Sequence, residues 1–80
     1  SMAMQGTKLN SSPSNVRMFL RAGTAEELVG LQLQLNILAR AQFSFTDIQQ
    51  DADGDWYAWF LADFYQHKDI VAELNGTTEE

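Results

Sequence analysis

The chain has 80 residues, enough for one domain, and a domain of this size buries only about 60% of the surface that its unfolded form exposes. The absence of cysteine excludes disulfides and thiolate metal sites, which often stabilise domains this small. Eleven acidic side chains against five basic ones give a net charge of −6, which argues against direct binding to nucleic acid or to anionic membranes.

Composition also bears on the compartment and the domain boundaries. No apolar run approaches the roughly 20 residues that span a bilayer, and Ser1 to Gln5 has no signal-peptide pattern. We therefore expect a cytoplasmic protein. Residues 1–14 are rich in Ser, Asn, Gly and Thr, which predicts a flexible N-terminal arm that includes an expression remnant. The single domain is expected over residues 15–76, with a frayed C-terminus over residues 77–80.

The first predicted strand follows the arm. Val16, Met18 and Leu20 alternate with Arg17 and Arg21, which is the period-2 spacing of a half-buried strand. Alternation puts the apolar side chains on one face of this strand and the arginines on the other.

A helix is predicted over residues 24–41. Thr24 is a good N-cap, and Glu27 three residues later completes a capping box. Good helix formers follow, and β-branched residues are scarce. The strict alternation over residues 31–37 also fits a strand, so a strand over residues 31–38 stays open as an alternative.

This helix would carry two apolar stripes. At about 100° per residue, their centres lie well over 100° apart. One sheet can cover only one stripe, so the second predicts a contact with something else. The first stripe comprises Leu28, Leu31, Leu35 and Leu38, and the second comprises Val29, Leu33 and Ile37.

Two more strands are predicted over residues 43–50 and 55–64, because both segments are rich in aromatic or β-branched residues. Residues 53–54 are Asp-Gly, the favoured pair for a type I′ hairpin turn. That turn would place Gln49 opposite Ala58, and a longer loop would shift this register.

A short helix over residues 65–74 completes the chain, with Ile70, Val71 and Leu74 facing inward. The fold class is therefore α+β: a small βαββ(α) domain, with a three-stranded mixed sheet, one long helix on one face and a short C-terminal helix. A right-handed crossover would set the first strand parallel to a hairpin strand. This order resembles that of many small bacterial and phage proteins that form dimers, a likeness of topology alone.

The hairpin turn is crowded with acidic residues. Residues 51–55 match the start of a calcium-binding loop, but Trp56 replaces the required glycine and Ala62 replaces the closing glutamate. We therefore expect solvated side chains and no metal. His67 is expected on a helix surface, within reach of an ion pair with Asp63. The predicted acidic surface comprises Asp47, Asp51, Asp53, Asp55 and Asp63.

The aromatic strand has two faces, of which only one can meet the helix. The other face would expose large apolar side chains, a pattern typical of interaction sites. Together with the second helix stripe, this predicts an interface. The expected interface residues are Trp56, Tyr57, Trp59, Leu61, Val29, Leu33 and Ile37.

These features predict a non-catalytic, homodimeric protein–protein interaction module with no cofactor. The sequence has no glycine-rich phosphate loop, and Ser44 lacks the context of a catalytic nucleophile, so no enzyme is expected. The alternative is an acidic inhibitor from a phage or mobile element that mimics nucleic acid and binds a protein with a basic surface.

Overall fold

The computed structural model describes residues 15–76, so the predicted arm over residues 1–14 and tail over residues 77–80 lie outside the described part. The α+β fold class is confirmed, with a long helix followed at the C-terminal end by a shorter one. The elements within this range are β1 (Asn15–Ala22), α1 (Ala25–Ala39), β2 (Gln49–Gln50), β3 (Trp56–Asp63) and α2 (Phe64–Leu74).

The sheet of the described range has the strand order β1-β3-β2 and is antiparallel, where a mixed sheet was expected. As expected for a crossover through α1, β2 runs parallel in direction to β1. However, β3 lies between them and is antiparallel to both. This arrangement places the most apolar strand at the centre, where it pairs with β1 along its whole length from Trp56 to Asp63.

The predicted N-cap Thr24 begins α1. The backbone N–H of Glu27 donates to Oγ1 of Thr24 at 3.1 Å, which satisfies one of the free donors of the first turn. The helix ends at Arg40, whose backbone is left-handed with φ 53°. Residues 31–38 are therefore helical, and the strand alternative is wrong.

The second helix follows β3 without an intervening loop. Asp63 is its N-cap, and its Oδ1 accepts from the backbone N–H of Gln66 at 3.0 Å. Phe64 is therefore the first residue of α2 and not, as predicted, the last of a strand. Val71 faces inward as expected.

The core lies between the sheet and the two described helices. Phe60 is its centre, with the rings of Phe43 and Phe45 each 5.2 Å away between centroids. Both α1 and α2 pack on this face of the sheet. The buried apolar residues are Leu20, Leu28, Leu35, Ala58, Phe60, Ala62 and Val71.

The strand predicted over residues 43–50 forms ladder pairs only at Gln49 and Gln50. The N–H of Thr46 donates to the carbonyl of Trp59 at 2.9 Å, while Gln49 lies opposite Tyr57. From Thr46 to Gln49 the segment advances three residues, whereas β3 advances two from Trp59 to Tyr57. The segment therefore contains one extra residue, as in a β-bulge. The extra residue lets both Phe45 and Ile48 pack against the core, although a regular strand would put them on opposite faces.

The hairpin loop also differs from the predicted turn. Gln49 pairs with Tyr57 rather than with Ala58, so the loop is longer and spans residues 51–55. A type I′ turn needs positive φ at both central residues, but of residues 53–54 only the glycine has it, with φ 92°. Hydrogen bonds to the side chain of Asp51 hold the longer loop instead.

Candidate interaction surfaces

The face of the sheet that points away from α1 and α2 is rich in aromatic and basic side chains. Cross-strand pairs join Arg17 to Leu61, Phe19 to Trp59, and Arg21 to Tyr57. Leu61 is 60% exposed and Phe19 is 42% exposed. We name this surface the outer sheet face, defined by Arg17, Phe19, Arg21, Tyr57, Trp59 and Leu61.

Contacts between side chains order the outer sheet face. The guanidinium of Arg17 lies over the ring of Trp59, 4.1 Å from its centroid, which is a favourable cation–π distance. Arg21 lies 6.0 Å from the ring centroid of Tyr57, and the rings of Phe19 and Tyr57 are 6.2 Å apart. The rings are therefore positioned before any partner binds. Arg17 and Arg21 bring positive charge to this face, and that of Arg21 is compensated by carboxylates of the adjacent hairpin loop.

The acidic turn holds one end of this face. Oδ1 of Asp51 accepts from the backbone N–H groups of Asp53 at 2.9 Å and Asp55 at 3.0 Å. Oδ2 of Asp51 accepts from Nη1 of Arg21 at 2.5 Å. The turn therefore fixes an arginine of the outer sheet face through an ion pair.

The pKa of the Asp51 carboxyl reflects these contacts. Partial desolvation by itself would raise this pKa. The backbone hydrogen bonds from Asp55 and Asp53, together with the hydrogen bond and charge of Arg21, outweigh that effect and hold the pKa below its ordinary value. The carboxylate is therefore occupied by protein donors. Within residues 15–76 no cluster of His, Asp and Glu could hold a metal ion.

Three of the predicted acidic residues, Asp51, Asp53 and Asp55, lie together in the hairpin loop, and the other two lie apart from it. Asp63 caps α2 at the far end of β3, roughly 20 Å from the turn. Asp47 lies on the bulged segment before β2 and is exposed, as is Asp53. The acidic set is therefore spread along the length of the hairpin.

The second predicted stripe of α1 is exposed among the described residues. Val29 is 45%, Leu33 60% and Ile37 73% exposed, whereas Leu28 and Leu35 on the opposite side of the helix are fully buried. We name the exposed residues the outer helix stripe, defined by Val29, Leu33 and Ile37. A shallow groove between α1 and α2 adjoins it, lined by Gln34, Ile37, Leu38, Glu73 and Leu74.

Two sequence predictions about single residues need correction. Trp56 was expected at the interface, but it lies on the inner face of β3 and packs against the core. His67 was expected on the surface, but it is buried, with its ring edge-on to Phe43 at 5.2 Å. Its Nδ1 has no hydrogen-bond partner in the described part of the chain.

Sequence reasoning missed the basic character of the outer sheet face. Arg17 and Arg21 belong to the first strand, and their proximity to Trp59 and Tyr57 depends on the pairing of β1 with β3. Alternation within each strand predicted which side chains of β1 and which of β3 share a face. It carried no signal that these two sets lie next to each other.

Neither α1 nor α2, the helices of the described range, is long and apolar enough to cross a membrane. No protein-family model, curated protein or solved structure matches this chain.

Proposed function

We propose that the protein is a non-catalytic, homodimeric module that binds other proteins, located in the cytoplasm. The observation that supports this proposal is the presence of two exposed apolar surfaces, the outer sheet face and the outer helix stripe. They lie on opposite sides of the domain, because α1 packs its buried stripe against the inner face of the sheet. A surface of this kind is typical of a binding site.

Energetics favour self-association in so small a domain. Burying about 1,000 Å² of mainly apolar surface contributes on the order of 25 kcal/mol before the costs of association. Those costs reach about 15 kcal/mol, so a modest contact can still be net favourable. The absence of cysteine fits a reducing compartment such as the cytoplasm.

The alternative function, an acidic inhibitor that mimics nucleic acid, would need carboxylates gathered on one face. Asp51 is paired with Arg21, and Asp63 serves as a helix cap. These positions give nucleic-acid mimicry no specific support, and we do not favour it.

Sedimentation velocity over protein concentrations from about 1 μM to about 1 mM tests the proposal. We expect the wild-type chain to shift from monomer to dimer over this range. Trp59→Glu and Leu33→Glu each place a charge on one candidate surface, and at least one of them should prevent the shift. Tyr65→Glu is the matched control, since Tyr65 is 74% exposed on α2 and belongs to neither surface. A wild-type chain that stays monomeric at the highest concentration contradicts the proposal.

A further inference from the structure

We propose that a second copy of the chain occupies the outer helix stripe, with the two α1 helices packed antiparallel about a two-fold axis at Leu33. This inference rests on the proposed function and assigns the self-contact to one surface. It leaves the outer sheet face free for a different protein.

The stripe has the geometry that a two-fold contact requires. At 3.6 residues per turn, Val29 and Ile37 lie about 40° to either side of Leu33. Each is four residues from Leu33 along the chain. In an antiparallel pair centred on Leu33, Val29 of each copy therefore faces Ile37 of the other, and the two Leu33 side chains meet at the axis. Such a contact is self-complementary, as a two-fold interface must be.

Charge at the ends of the stripe favours the antiparallel arrangement. Glu26 and Arg40 are each seven residues from Leu33, on opposite sides of it, and both are exposed. By helical rotation Glu26 lies within about 20° of Leu33 on the helix surface, and Arg40, the left-handed C-cap residue, directly follows the last turn of α1. Glu26 of one copy would therefore lie opposite Arg40 of the other, at both ends of the contact. A parallel pair would instead bring like charges together.

Glu26 and Arg40 are available for this contact. Within residues 15–76 the salt bridges involve other side chains, Arg21 with Asp51 and Asp55, and Lys68 with Asp69. An antiparallel pair also sets the two helix dipoles in opposite directions, which is the favourable orientation.

Gly30 allows the helices to approach closely. It lies beside the stripe, and no atom is within 4 Å of the position that a Cβ would take. It is three residues before Leu33, and Asn36 is three residues after it, so Gly30 of one copy faces Asn36 of the other. Packed helices have interaxial distances of about 8–10 Å, and a small residue at the contact favours the shorter ones.

The contact is small, which predicts a weak dimer. Its apolar centre consists of three side chains from each copy, with charged and polar residues around it. Interfaces at the low end of the size range belong to transient complexes, so we expect a dissociation constant on the order of micromolar.

The test uses two charge reversals that leave the apolar stripe intact. Glu26→Arg and Arg40→Glu each replace both intermolecular ion pairs with like-charge contacts. Each variant alone should dimerise about tenfold more weakly than the wild type. An equimolar mixture regains opposite charges at both ends, so a heterodimer should form with a dissociation constant within about threefold of the wild-type value. Sedimentation with one variant fluorescently labelled measures this directly.

Matched controls carry the same change of charge elsewhere. Asp53→Arg adds two positive units on the exposed turn, and Lys68→Glu adds two negative units on α2, outside both candidate surfaces. Both should leave dimerisation within about twofold of wild type, and mixing them should have no effect.

Three results would overturn this inference. If the wild type dimerises but the mixture of Glu26→Arg and Arg40→Glu shows no preference for the heterodimer, the helices are not paired as proposed. If Arg17→Glu weakens the dimer instead, the outer sheet face is the self-contact, and the proposed function still holds. A strictly monomeric wild type contradicts both proposals, as would happen if another segment of the same chain covers the stripe.

Discussion

Asp51 organises the hairpin loop and one end of the outer sheet face. Its two carboxylate oxygens accept hydrogen bonds from the backbone of the loop and from Arg21. A single residue therefore joins the conformation of the turn to the position of a side chain on β1. The contribution of Asp51 to stability includes its ion pair with Arg21, so this contribution depends on pH.

Asp51→Asn separates the charge of this residue from its hydrogen bonding. The amide oxygen can still accept from the loop N–H groups, but the ion pair with Arg21 is lost. Since the folded-state pKa of Asp51 is depressed, its charge stabilises the fold above the unfolded-state pKa of about 3.9. This contribution is lost as the pH falls through the folded-state value.

Urea unfolding of the wild type and of Asp51→Asn measures the effect. The wild type should have the higher midpoint at about pH 7, and the difference should shrink as the pH falls through the lowered pKa of Asp51. A difference that is constant over this pH range would mean that the charge of Asp51 does not contribute.

At the scale of elements, local sequence decides where α1 begins. The side chain of Thr24 accepts from the backbone N–H of Glu27, which is one of the two hydrogen bonds of a capping box. The spacing of these two residues predicted this bond. This contact satisfies a backbone donor that no helical carbonyl can reach.

Thr24→Ala should lower the free energy of unfolding by about 1 kcal/mol, since it removes that acceptor. Thr24→Ser keeps the hydroxyl oxygen and should stay within about 0.5 kcal/mol of wild type. Chemical denaturation followed by far-UV circular dichroism compares the three chains. If Thr24→Ala and Thr24→Ser lower the free energy of unfolding equally, the hydroxyl group is not the stabilising feature.

The outer edge of β1 is closed by a side chain of the segment after α2. The carboxamide of Asn75 accepts from the backbone N–H of Arg21 at 2.9 Å, and its Nδ2 donates to the carbonyl of Phe19 at 2.8 Å. A side chain thus pairs with β1 as a neighbouring strand would. Unpaired edges promote association between sheets, and this contact blocks that route over two residues.

Asn75→Ala should lower the free energy of unfolding by about 1–2 kcal/mol, because both hydrogen bonds are lost. Asn75→Asp can keep the contact to the N–H of Arg21 but cannot donate to Phe19. Its free energy of unfolding should therefore lie between those of the wild type and Asn75→Ala. Urea unfolding gives the stabilities, and light scattering on prolonged incubation reports aggregation through the exposed edge. If Asn75→Ala has the same free energy of unfolding as the wild type, water replaces both hydrogen bonds of the side chain without loss of stability.

At the scale of the whole molecule, the domain has one buried layer between two partly apolar exteriors. The inner face of the sheet and the buried stripe of α1 share one core, while the outer sheet face and the outer helix stripe point in opposite directions. Leu33 and Leu35 lie two residues apart on α1, yet only Leu35 belongs to that core.

This difference predicts contrasting effects of the same substitution. In the monomer, Leu35→Ala should lower the free energy of unfolding by about 2–5 kcal/mol, because it leaves a cavity in the core. Leu33→Ala should change it by less than about 0.5 kcal/mol at concentrations where the chain is monomeric. Denaturation at low and high protein concentration compares them. A large loss for Leu33→Ala in the dilute sample would show that its side chain is covered within one chain.

Much of the fold could be predicted because its signals are local. The capping box and the run of helix formers determined α1, and alternation within β3 assigned Phe60 inward and Trp59 outward. Helical periodicity placed Leu28 and Leu35 in the core and the outer helix stripe in solvent, whereas Leu38, which was predicted in the first stripe, is 57% exposed. Each of these properties depends on residues that are close together in the chain.

Tertiary structure decided the features that depend on pairing between distant segments. These include the central position of β3, the bulge that brings both Phe45 and Ile48 to the core, the burial of His67 and the placement of Arg17 beside Trp59. Strand order is determined by which arrangement buries the most apolar surface across the whole domain. That quantity is a sum over all segments, so no single stretch of the sequence carries it.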